Sequence, residues 1–137
     1  MTEAHTWDAR LDVGNEAMDH EHHLQVGLVS AFVDAVEQGR PTMARRLVDQ
    51  LLEYSGVHFG SEELLMEGTA YPEREAHARE HAEFLGHIRE LQRTYDAGDR
   101  EAAVEAAVDL RAALGAHMND ADRRLALHVA PVARPSA

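Results

Sequence analysis

The chain reads as an all-α protein, an antiparallel up-down-up-down four-helix bundle with an N-terminal arm. Three observations predict this. Four long segments carry stripe residues at alternating four- and three-residue spacing, the period of one helix face. Short breakers containing Gly or Pro separate them, and short connections make consecutive helices antiparallel neighbours. The 137 residues suit one domain with a real core. We place the arm at residues 1–15, the bundle at 16–130 and a flexible tail at 131–137.

In the arm, Trp7 is expected to be a packing anchor. The first helix runs from about Glu16 to Gln38, with the stripe Met18, His22, Gln25, Val29, Phe32, Val36. It stops at "GRPT", where Gly39 suits a helix end and Pro41 the next first turn. The second runs from about Thr42 to Glu67, with the stripe Leu47, Leu51, Tyr54, His58, Glu62, Leu65, and stops at Gly68. Pro72 opens the third, whose stripe is His77, His81, Phe84, Ile88, Leu91, Tyr95 and which ends near Ala97 and Gly98. Asp99 caps the fourth, whose stripe is Leu110, Leu114, His117, Ala121, Leu125 and which ends before Pro131.

Composition narrows the function. A formal net charge of −12 argues against non-specific nucleic-acid binding. All 13 basic residues are arginine, and cysteine is absent, which excludes disulfides, thiolate metal sites and cysteine nucleophiles. The N-terminal residues lack an apolar signal core, and no stretch is apolar and long enough to span a bilayer, so a cytoplasmic protein without a membrane partner is expected. Ten histidines is a high count for such a chain.

Every stripe has apolar positions replaced by histidine or acid, and the replacements share one height. His22 and His58 each lie 18 residues from Arg40, at the first turn. Glu62 and His77 lie 7 and 8 residues from Thr69, at the second. His81 and His117 lie 17 and 19 residues from Gly98, at the third. In antiparallel helices, equal distance from a turn means equal height. A buried layer of imidazole and carboxylate is costly unless something satisfies it, and a metal ion does so. Five imidazoles exceed one ion's usual share, which points to two metals bridged by carboxylates. Iron with open positions fits better than zinc. Asp122 follows His117 by five residues, about 140° round an ideal helix. It would reach the layer from the flank or through a local π-type widening, and Asp120 competes for the role.

The segments "VGNEAMDHEH", "YSGVHFGSEE", "YPEREAHAREHAEF" and "HMNDAD", together with Trp7, resemble hemerythrins, in particular the single-domain bacterial ones. The family pattern is one histidine on the first helix, His-x-x-x-Glu, His-x-x-x-His and His-x-x-x-x-Asp on the others, and the resemblance covers nearly the whole chain. It implies that His77, His81 and His117 hold one iron, and that His22 and His58 hold the other, leaving it five-coordinate. Glu62 and Asp122 would bridge the two irons with an oxo or hydroxo group, so it is the resemblance that selects Asp122 over Asp120. The implied function is reversible dioxygen binding for carriage, storage or scavenging, with no enzymatic activity; no protein partner is identified.

The resemblance also implies that Gln25, Phe59, Leu114 and Met118 line the oxygen pocket. Gln25 stands where an aliphatic residue is frequent, and Ala113 where a tryptophan is common, which implies a wider and more polar pocket. The Gln25 amide either donates to a bound ligand or bonds a neighbouring helix, and both readings stand. His20, His23 and His87 are expected on the solvated surface and His128 at the end of the core, while His5 falls outside the motif. Glu63 is expected to face solvent. The rival readings are a sensor of oxygen, nitric oxide or redox state acting through a partner, and a di-iron oxidase or peroxidase. Sensors of this family usually carry an output domain, for which 137 residues leave no room. The oxidases use Glu-x-x-His, which does not occur here.

Overall fold

In a computed structural model, residues 11–130 are described. They form α1 (Glu16–Glu37), α2 (Pro41–Gly68), α3 (Arg74–Asp96), α4 (Arg100–His117), a π-helical segment (Met118–Asp122) and α5 (Arg123–Val129), with no strand among the described residues. Trp7, His5 and the tail lie outside them. Contacts join α1 to α2, α2 to α3, α3 to α4 and α4 back to α1, a closed ring of antiparallel neighbours. No helix among these residues is long and apolar enough to cross a membrane.

Local chemistry sets the ends. Asn15, in extended backbone, accepts the Met18 N–H on its side chain at 3.1 Å and so caps α1. After Gln38, Gly39 takes the left-handed conformation (φ 69°) and the Arg40 N–H returns to the Ala35 carbonyl at 2.9 Å. Pro41 then opens α2, where its missing N–H costs nothing. The start expected at Pro72 moves to Arg74. Ala70 turns left-handed (φ 52°) and the Tyr71 N–H bonds back to the Met66 carbonyl, so Pro72 and Glu73 complete a turn before α3 begins. Asp99 caps α4 by accepting the Ala102 N–H at 3.1 Å.

Two apolar clusters fill the interior. The larger contains Val29, Phe32, Leu51, Ile88, Leu91 and Leu110. The smaller contains Val13, Met18, Met66, Tyr71 and Leu125. The buried histidines and acids lie between them along each helix. In the second stripe Met66, four residues past Glu62, is buried, while Leu65 is partly exposed; the expected place of Leu65 in the core passes to its neighbour. Of the arm, Val13 enters the smaller cluster and Leu11 packs on Gly115 of α4. The Val13 N–H is held by Asp19 at 2.7 Å.

Candidate metal centre

Seven polar side chains meet in the layer between the two apolar clusters. His22, His58, Glu62, His77, His81, His117 and Asp122 are each no more than 5% exposed. Six of them arrive from stripe positions on their own helices. Asp122 is brought in by the π-helical segment, whose wider turn carries a residue five places after His117 to the inner face. Asp120 instead faces solvent and pairs with Arg124.

The imidazoles point Nε2 inward, and the two carboxylates divide their oxygens among them. Glu62 Oε1 lies 3.2 Å from His77 and 3.0 Å from His81, while Oε2 lies 3.1 Å from His58 and 3.7 Å from His22. Asp122 Oδ1 lies 3.0 Å from both His77 and His117, while Oδ2 lies 2.9 Å from His22. Two donor groups result, and they share both acids. One is His77, His81, His117, Glu62 and Asp122; the other is His22, His58, Glu62 and Asp122. Within each group one donor atom per residue falls within 4.8 Å of all the others.

Many of these short approaches are not aligned as hydrogen bonds. Nε2 of His22, His58, His81 and His117, Oε2 of Glu62 and Oδ1 of Asp122 are buried without a hydrogen-bond partner among the described residues. Inward-facing lone pairs left unsatisfied together are what a cation would satisfy, and imidazole with carboxylate is a natural donor set for iron. The donor set therefore fits two metal ions sharing two acids.

The electrostatics are those of a tight ion cluster. Burial alone would lower the His22 and His77 pKa values, but Asp122 and Glu62 outweigh it and raise both to about 9. His58 and His117 are raised in the same way, the first chiefly by Glu62 and the second chiefly by Asp122. Burial would raise the two carboxyls, but the surrounding imidazoles hold both well below the usual carboxylate range.

Three further acids, of which the sequence reading singles out only Glu63, grip the outer nitrogens. The Nδ1–H of His58 donates to Glu21 at 2.5 Å, that of His81 to Glu63 at 2.9 Å and that of His117 to Glu80 at 3.0 Å. Glu63 was expected to face solvent; it is half-buried against α3 because it follows Glu62 and so points along the α2–α3 seam. The one sequence signal for the three is that each adjoins a layer residue of its own helix.

Gln25, Phe59, Leu114 and Met118 are buried beside the layer. Phe59 stacks on His81 with ring centroids 4.2 Å apart. The Gln25 amide donates to Ser55 on α2 at 2.9 Å, so it does bond a neighbouring helix. Ala113 does not open the interior: it is exposed and lines an outer groove between α3 and α4 with Leu91 and Leu110. His20, His23 and His87 are exposed. His128 is exposed too, bonding the Thr69 carbonyl at 2.8 Å, and is not at the end of the core. The extra residue in the π turn rotates everything beyond it, which takes His128 off the face of His117.

The profile of the family described as "Hemerythrin HHE cation binding domain" matches residues 13–127. The chain is 27% identical over 93 residues to a bacteriohemerythrin of Pseudomonas paraeruginosa, an alignment covering 68% of this chain and 61% of that protein. It is 30% identical over 83 residues to one of Methylococcus capsulatus, covering 61% of this chain and 63% of the other. To one of Ralstonia nicotianae it is 28% identical over 134 residues, covering 96% and 95%. With four antiparallel helices and the family profile running over nearly all of them, the chain belongs to the hemerythrin family.

Proposed function

We propose that this chain binds dioxygen reversibly at a di-iron centre and serves oxygen carriage, storage or scavenging as a binding protein in the cytoplasm. His77, His81 and His117 would hold one iron and His22 and His58 the other, with Glu62 and Asp122 available to both. The observation that carries the reading is the division of each carboxylate, one oxygen turned to each histidine group.

When bound, the two irons supply the redox chemistry of reversible dioxygen binding. The chain's own residues do the rest. The two-histidine side offers four protein donors against five on the other, which leaves room there for an outside ligand. Phe59, Leu114 and Met118 are buried apolar neighbours of the layer and would keep water from it. A histidine-rich donor set also favours reversible binding over the stronger oxidation supported by carboxylate-rich sites.

His22→Ala tests the assignment. It should lower iron occupancy and abolish the reversible spectral change on exposure to oxygen. His20→Ala, two residues away but exposed, should behave like the parent. The opposite pattern would place the wrong face of α1 in the layer.

A further inference from the structure

Three imidazoles of the layer are held from outside, and the contacts follow one rule. Glu21, beside His22 on α1, accepts from His58 on α2; Glu63, beside Glu62 on α2, accepts from His81 on α3; Glu80, beside His81 on α3, accepts from His117 on α4. Sequence neighbours are separated by about 100° round a helix. A residue beside a core group therefore points along a seam, toward the next helix of the ring. The rule has no fourth instance. His117 is flanked by Ala116 and Met118, and Asp122 by Ala121 and Arg123, so α4 brings no such carboxylate to α1. Among the described residues His22 Nδ1 is buried with no hydrogen-bond partner.

We infer that Glu21, Glu63 and Glu80 are positioning residues for the metal ions, and that their uneven spread makes the three-histidine site the tighter one and the two-histidine site the first to lose its ion. The inference rests on the ligand assignment proposed above. A carboxylate on Nδ1 keeps the proton there, leaves the Nε2 lone pair facing inward, stops the ring from turning and strengthens it as a donor. Two of three imidazoles on the five-donor side are held this way, against one of two on the four-donor side. His22 adds to the difference: among the described residues its Nδ1 has no acceptor, so nothing outside the layer fixes its ring.

The test is anaerobic iron release from the loaded ferrous protein into a colorimetric ferrous chelator. The parent should release iron in two phases of one ion each. Glu21→Gln should speed only the fast phase, by about ten-fold. Glu63→Gln and Glu80→Gln should speed only the slow phase, by a similar factor. The three side chains are 36–44% exposed, so glutamine is readily accommodated, and a general loss of structure would speed both phases in every variant. Release of two irons in a single phase, or variant rates equal to the parent's, would overturn the inference while leaving the di-iron reading standing. A parent that takes up no iron would overturn both.

Discussion

Gln25 lies one turn past His22 on α1, and Ser55 one turn before His58 on α2; their hydrogen bond ties the two helices beside the metal layer. Both residues are almost fully buried, so the pair is coupled in a low-dielectric setting. A double-mutant cycle of Gln25→Leu and Ser55→Ala should show a coupling energy of about 1 kcal/mol in urea unfolding, the double variant costing less than the two singles together. Zero coupling would mean that the contact contributes nothing. At this scale the sequence was legible where a residue broke an apolar stripe. His22, His58, Glu62, His77, His81 and His117 stood out because charge or imidazole sat where leucine was expected. Glu21, Glu63 and Glu80 did not, because an acid beside a stripe looks like any solvated acid. Its seam is visible only once the neighbouring helix is in place.

The helices themselves were legible from their period and their breakers, since Gly39, Pro41, Gly98 and Asp99 act through local backbone chemistry. The π-helical segment was open from sequence, because a five-residue spacing fits either a flank position or a widened turn. Its shape makes a prediction. Asn119 is exposed within it, and its polar contacts go to Arg123. Deleting Asn119 would set the histidine and aspartate four apart, which a regular α-helix places about 40° from each other on one face. The deletion variant should therefore remain helical and keep two irons per chain, with the downstream core of Leu125 and Ala126 in phase. Loss of iron with the helical signal intact would mean that the widened turn itself is required to aim the carboxylate.

For the whole molecule, the layer makes stability depend on pH in opposite senses with and without metal. In the metal-free chain His22 and His77 are raised from 6.5 to about 9, so their contribution is fully present below pH 6.5 and is lost as pH rises through 9. Glu62 and Asp122 are depressed, so theirs is present above the usual carboxylate range and lost only in acid. The metal-free protein should thus be most stable between the carboxylate range and pH 6.5. Bound iron needs deprotonated Nε2 atoms, so its stabilising effect should grow with pH. The gap between iron-loaded and metal-free melting temperatures should widen from pH 6.5 to 9; a gap that stays constant or narrows would contradict the protonation scheme. The central claim, that one layer between two apolar clusters holds two irons and a reversible ligand position, is tested most directly by iron content measured together with the optical spectrum through cycles of air and vacuum. The account predicts two irons per chain and oxo-bridged diferric bands that appear with oxygen and disappear on its removal. Fewer than two irons at full loading, or a spectrum indifferent to oxygen at full occupancy, would contradict it.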